Sequence, residues 1–152
     1  MSVTAIFTAL LPEHLLLLGI IVIMGLDIMG GRERDATVVA LIAVIAATMA
    51  AALLYFGGYA AAPFLGQFSV GPQSSLAKAI VIGLAIPVVL LSRDDFTDSR
   101  FHLLLLSSLY GVCLMLSADS FLTLVLGLEI MSLPVYVLVL LAFGRPETPR
   151  RH

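Results

Sequence analysis

The residues best able to do chemistry lie in one apolar run near the carboxyl end of the chain. Glu129 stands near the middle of Phe121 to Phe143, a stretch with no other charged residue. An ionised side chain at the centre of a bilayer costs at least about 2.5–3.5 kcal/mol, so intramembrane acids are rare and usually functional. Glu129 therefore predicts a proton or ion pathway.

Other residues of this run would support Glu129 if the segment is helical. Ser132 and Tyr136 follow it by three and seven residues, which places all three side chains on one face. Pro134 lacks an N–H, so it should bend the helix and release the carbonyl of Ile130 beside the carboxylate. A buried carboxyl group with a switchable lysine partner takes up and releases protons, which is the chemistry of a proton relay. The alternative is a permanently protonated Glu129 that only hydrogen-bonds a neighbouring helix.

Lys78 is the internal candidate for the partner of Glu129. It lies near one end of its apolar segment, where its long side chain can reach the membrane surface, so we expect this snorkelling in preference to an ion pair. Glu13 suits the first turn of a helix, where a carboxylate interacts favourably with the helix dipole. We expect His102 to be an interfacial residue without a role in proton transfer.

Composition indicates an integral membrane protein. The 152-residue chain is 61% hydrophobic and 12% charged, with a mean hydropathy of +1.11, far from the values of soluble domains. It has no basic patch, which disfavours nucleic-acid binding. Cys113, the single cysteine, lies in an apolar run and is expected to be a small buried hydrophobe. No metal-ligand spacing, phosphate-binding loop or nucleophile elbow occurs, so we expect no cofactor and no metal, but bound lipid between the helices.

Five apolar segments are long enough to cross a bilayer as helices, because about 20 residues at a rise of about 1.5 Å span a hydrocarbon core of about 30 Å. They are residues 10–29, 37–56, 75–92, 101–118 and 121–143. The sequence thus predicts an all-α integral membrane protein with one domain, residues 1–144, and a disordered tail, residues 145–152. Residues 57–73, rich in Gly, Ala and aromatic residues, are expected to form an irregular interfacial loop.

The distribution of basic residues predicts the orientation of these helices. Arginines occur within residues 30–36, within residues 93–100 and in the tail, whereas the other connections contain no Lys or Arg. The positive-inside rule then puts the N-terminus outside and the C-terminus on the cytoplasmic or matrix side of the inner membrane. The fifth helix should begin at a cap supplied by Asp119 or, equally well, by Ser120.

One stretch resembles a known family. Residues 117–136, SADSFLTLVLGLEIMSLPVY, are similar to subunit N of bacterial NADH-quinone oxidoreductase, the antiporter-like membrane subunit of respiratory complex I. The segment LLPEHLLLLGIIVIMGLD, the lysine-bearing third span and VLLSRDDF at residues 89–96 also resemble the amino-terminal portion of that subunit. The resemblance implies that the glutamate at position 129 pairs with a lysine on a later, broken helix to form a proton-transfer unit.

That later lysine is not in this sequence, and Lys78 does not match it. We therefore expect a second polypeptide to supply the missing helices and to bind the faces around Glu129; the other explanation is a shortened paralogue with a structural place. The expected function is a membrane-arm subunit that contributes Glu129 to proton translocation and has no catalytic activity alone. The alternatives are a purely structural or assembly subunit, and a small oligomeric proton-coupled exporter, which the absence of Trp for an aromatic cage disfavours.

Overall fold

The computed structural model describes residues 3–30, 33–64, 66, 68–92 and 99–143. Its helices are α1 (Val3–Ala9), α2 (Leu11–Ile28), α3 (Glu33–Phe56), α4 (Pro72–Ser92), α5 (Ser99–Leu116) and α6 (Phe121–Phe143). Within this described part, α2, α3, α4 and α6 are long and apolar enough to cross a membrane, and α5 adds a shorter apolar helix. The predicted all-α membrane fold is confirmed. The predicted disordered tail, residues 145–152, lies outside the described residues.

The ends of the helices follow local sequence signals. α2 has Pro12 in its first turn. Backbone N–H groups there have no intrahelical acceptor, so proline, which lacks an N–H, loses no hydrogen bond. It ends before Gly30, whose φ of 75° is the left-handed conformation that a glycine adopts without a steric penalty. α6 begins after Ser120, whose hydroxyl accepts a hydrogen bond of 3.1 Å from the N–H of Thr123. Of the two caps that the sequence allows, the structure uses Ser120 rather than Asp119.

The connection between α3 and α4 is more regular than the sequence predicts. It contains two short antiparallel strands, β1 (Ala61–Phe64) and β2 (Phe68–Val70). The backbone N–H of Ser69 donates to the carbonyl of Ser117 at 2.9 Å, which ties this hairpin to the end of α5. The prediction of an irregular loop is wrong, because backbone polar groups near a membrane need partners and strand pairing supplies them.

The Ala-rich α3 forms the centre of the helix packing. It packs against α2 and α4. α5 in turn packs against α2 on one side and α6 on the other. The buried positions of α3 are mostly small and recur every three or four residues: Ala36, Ala40, Ala43, Ala47, Ala50 and Ala51. Gly19 of α2 has the same role, since a Cβ there would lie 2.6 Å from the Cβ of Ala43. Small residues let helix backbones approach closely, which is a main source of helix association in membranes.

The five long helices, α2 to α6, alternate in direction: the starts of α2 and α4 share an ion pair, the starts of α3 and α5 share a side-chain contact, and α5 and α6 cross antiparallel. The β1–β2 hairpin therefore lies beside the starts of α2, α4 and α6 and the ends of α3 and α5; we call this side the hairpin end. The outward surfaces carry large apolar side chains that are 57% to 77% exposed, namely Ile21, Ile42, Leu53, Leu84 and Leu91. Such surfaces suit contact with lipid chains.

Candidate functional site

Two facing glycines hold α6 against α5. A Cβ added at Gly111 would lie 2.8 Å from the carbonyl oxygen of Gly127, and one added at Gly127 would lie 2.9 Å from the backbone nitrogen of Met115. The Ser108 hydroxyl also donates to the carbonyl of Met131 at 3.2 Å. Because backbone meets backbone here, the crossing fixes the rotation of α6 about its own axis.

This rotation turns Glu129 away from α5. Glu129 follows Gly127 by two residues, which is about 200° around a helix, and its side chain is exposed. Ser132 and Tyr136 share its side of α6, and Tyr136 is 63% exposed. Among the elements that the structure describes, α6 makes extensive contact with α5 alone. The three polar side chains thus form an open face, which we call the Glu129 face.

The Glu129 carboxylate lies inside the span. It is eight residues beyond Phe121 in a helix of 23 residues, which corresponds to about 12 Å along a length of about 33 Å. Within the described part of the chain, the structure gives this carboxylate no hydrogen-bond or ion-pair partner. α6 continues through Pro134 without interruption. The proton-transfer role of Glu129, and the support from Ser132, Pro134 and Tyr136, stay predictions.

Lys78 lies elsewhere than the sequence predicts. Its ammonium forms an ion pair with the Glu13 carboxylate, and both side chains are at most 2% exposed. Lys78 is six residues into α4, about 9 Å from its start, and Glu13 lies in the first turn of α2. The prediction that Lys78 snorkels to the surface is wrong, because a neighbouring helix that starts at the same end of the fold presents an anion to it.

Two titratable side chains of α5 lie near the Glu13–Lys78 pair. Tyr110 and Cys113 of α5 lie within electrostatic range of Glu13, and Cys113 also within range of Lys78. Cys113 is fully buried, so its prediction as a small buried hydrophobe is confirmed. The oxygen Oε2 of Glu13 is buried and has no hydrogen-bond partner among the described residues. An ion pair with an unsatisfied oxygen regains only part of the hydration free energy that its two charges lose on burial.

His102 lies at the opposite end of the fold from this pair. It is fully buried, and its Nε2 lies 3.0 Å from the hydroxyl oxygen of Thr37. It is buried because α3 and α5 start side by side and cover it. Its expected place at the membrane interface, without a role in proton transfer, stays a prediction. The described residues contain no group of three or more His, Cys, Asp or Glu side chains arranged to hold a metal ion. The absence of a cofactor stays a prediction.

Sequence reasoning missed Glu13 as a candidate site residue. The signal that could have found it is that Glu13 and Lys78 lie at a similar depth in the membrane. Glu13 and Lys78 are ionisable residues inside apolar segments, and helices that alternate in direction put the starts of α2 and α4 at the same end. Charged residues within membrane helices usually pair with one another.

Comparison with known proteins points to one kind of relative. No family model matches the chain. Proteins named NADH-quinone oxidoreductase subunit N match it in Granulibacter bethesdensis (34% identical over 141 residues, 90% of this chain), Laribacter hongkongensis (31% over 145 residues, 91%) and Paraburkholderia phymatum (34% over 156 residues, 93%). The matches cover 29%, 29% and 30% of those relatives, so the chain spans less than a third of their length. The predicted resemblance is confirmed: nearly all of this chain is similar to part of NADH-quinone oxidoreductase subunit N, consistent with an amino-terminal portion.

Proposed function

We propose that this chain is a membrane-arm subunit of a proton-pumping NADH-quinone oxidoreductase of the complex I type, in which Glu129 takes part in proton translocation. The similarity to subunit N supports the kind of subunit. One structural observation carries the proton role: a carboxylate about 12 Å inside an apolar helix lies on a face that no described residue covers. Lipid is a poor neighbour for such a group, because intramembrane acids face protein or water.

The occupant of the Glu129 face follows from this chemistry. Further antiporter-type helices, which lie outside this sequence, cover the face and bring a cation towards the carboxylate. A cation close to Glu129 favours its ionised form, and one that moves away favours its protonated form. Alternating approach and withdrawal would therefore move a proton. The Glu13–Lys78 pair leaves Lys78 engaged on the other side of α5, which supports a cation from beyond this chain.

The proposed location is the inner membrane, with the N-terminus outside. The basic residues in the connections at the opposite end from the hairpin support this orientation. The hairpin end then faces outwards. Glu129 and the Glu13–Lys78 pair both lie in the outer half of the span.

The substitution Glu129→Gln tests the proposal in the reconstituted, assembled complex. Glutamine keeps the shape and hydrogen bonding of the side chain but does not titrate, so proton pumping should fall by about tenfold or more while assembly is retained. Pumping is measured as quinone-reductase-driven acidification of proteoliposomes. The matched control is Asp119→Asn, the same chemical change at an exposed acid just before α6, which should leave pumping unchanged.

Two results would count against the proton role. Unchanged pumping by an assembled Glu129→Gln complex would leave a structural or assembly subunit as the function of this chain. If Glu129→Gln prevents assembly, Glu129→Asp supplies the second test, because it keeps the acid on a shorter side chain. An assembled Glu129→Asp complex with full pumping supports titration at this position, whereas failure of both variants to assemble supports a docking role alone.

A further inference from the structure

The Glu13 carboxylate of the buried pair is incompletely hydrogen-bonded within the described residues. A buried pair contributes to stability only when additional hydrogen bonds satisfy its remaining lone pairs. Within the described residues, Glu13 has the ion pair with Lys78, and its Oε2 is fully buried without a hydrogen-bond donor. A purely structural ion pair would have a hydrogen-bond donor at this oxygen.

Two buried serine hydroxyl groups lie nearer the hairpin end than this pair does. Ser75 lies three residues before Lys78 on α4, and Ser117 follows the last residue of α5. Both serines are at most 2% exposed, and neither hydroxyl has a hydrogen-bond partner within the part of the chain that the structure describes. Unsatisfied buried polar groups in native proteins usually mark bound water or a functional site. The hairpin end therefore offers a polar approach to Lys78.

Two titratable groups near the pair belong to α5. These are Tyr110 and Cys113, which lie within electrostatic range of Glu13. On α3, Tyr55 packs its ring against Phe56. Among the described residues, Lys78 is the partner recorded in an ion pair with Glu13.

Two further titratable groups belong to neighbouring elements. The His14 ring on α2 stacks on Phe7 of α1, with ring centroids 5.0 Å apart. Glu129 on α6 is turned away from α5 and so away from the pair.

We propose that Glu13 and Lys78 form a second proton-exchange site, loaded from the hairpin end past Ser117 and Ser75. Transfer of one proton from Nζ of Lys78 to the Glu13 carboxylate breaks an N–H bond, forms an O–H bond and leaves both groups neutral. An apolar setting favours this neutral pair over two separated charges. The carboxyl group then releases its proton to water, and the amine takes up another, so that protons and charge balance over the cycle.

Infrared spectroscopy of the full chain in phospholipid vesicles tests this proposal directly. A protonated carboxyl group has a C=O stretch that shifts in D2O and that an ionised one lacks. We expect such a band at neutral pH, its loss in Glu13→Gln and its retention in the matched variant Glu129→Gln. Lys78→Gln should strengthen the Glu13 band, because a buried carboxyl group without its cation favours the protonated form.

Two outcomes would overturn the proposal. One is a spectrum without a D2O-sensitive carboxyl band from neutral to mildly acidic pH, which would show a permanently ionised pair. The other is a band of equal strength in Glu13→Gln. If Glu13→Gln does not fold, the double variant Glu13→Gln/Lys78→Gln, which carries no buried charge, gives the same subtraction. The readout is the protonation of Glu13 itself, so its result is independent of whether Glu129 supports pumping.

Discussion

Glu13 and Glu129 lie in the same half of the fold but differ in burial and in pairing. Glu13 is buried and paired with Lys78, whereas Glu129 is exposed and lacks a partner among the described residues. The chain thus supplies a cation for Glu13 from its own helices, whereas Glu129 lies on the outer surface of the helix bundle. Of the two, Glu129 is the acid for which the described part of the chain supplies no partner.

The helix α5 produces this difference, because it separates the two acids and presents a different side to each. Gly111 faces α6 and admits its backbone. Cys113, two residues later and so about 200° around the helix, lies close to the Glu13–Lys78 pair. One apolar helix therefore carries the packing surface for α6 on one side and part of the lining of a buried ion pair on the other.

The largest expected effect comes from breaking the buried pair. Lys78→Met should lower the free energy of unfolding by about 3–5 kcal/mol at a pH where Glu13 is ionised, because it removes the partner of this buried carboxylate. Glu129→Gln should change the same quantity by no more than about 0.5 kcal/mol, as exposed substitutions do. Denaturant titration of the chain in bilayer-like micelles measures both. Equal losses in the two variants would contradict the distinction between the acids.

A double variant separates loss of charge balance from loss of packing. Glu13→Gln/Lys78→Met removes both charges and keeps side chains of similar length. It should recover most of the stability that Lys78→Met loses, because uncharged replacements of a buried ion pair are often neutral or stabilising. If the double variant is as unstable as Lys78→Met, the cost lies in packing around the pair.

The next effect concerns the crossing that directs Glu129 outwards. Gly111→Ala puts a Cβ 2.8 Å from the Gly127 carbonyl oxygen, and because backbone cannot move aside as a side chain does, the helices must separate. We expect a loss of about 1–3 kcal/mol and lower proton pumping, since α6 would rotate or shift. The comparison is Gly25→Ala, where a Cβ has no neighbour within 4 Å, and which should leave both stability and pumping intact.

The sequence was sufficient for features that depend on one segment at a time. Apolar length alone located the five long helices but not α1, and the spacing of Glu129, Ser132 and Tyr136 placed these residues on one side of α6. The motif around Glu129 was sufficient for the resemblance to subunit N. Each of these features is a property of neighbouring residues, so no knowledge of the packing was needed.

Contacts between two distant segments were not predicted, and for Lys78 the prediction was wrong. Lys78 and Glu13 are 65 residues apart, as are His102 and Thr37, and only the helix packing makes them neighbours. The hairpin of residues 61–70 was missed because its strands are short and start from a segment rich in Gly and Ala. In a membrane helix, a lone polar residue can reach the surface, pair internally or meet a partner protein, and sequence does not rank these outcomes.

The smallest expected effect lies at the start of α6. Ser120→Ala removes the hydroxyl that accepts from the N–H of Thr123 and should cost about 1 kcal/mol, whereas Ser120→Asp, which keeps an acceptor, should cost only a few tenths of that. Pumping should be unaffected by either variant, because the crossing at Gly111 and Gly127, rather than the cap, sets the rotation of Glu129. Lower pumping in Ser120→Ala with full pumping in Ser120→Asp would instead show that the first turn of α6 controls the position of the Glu129 face.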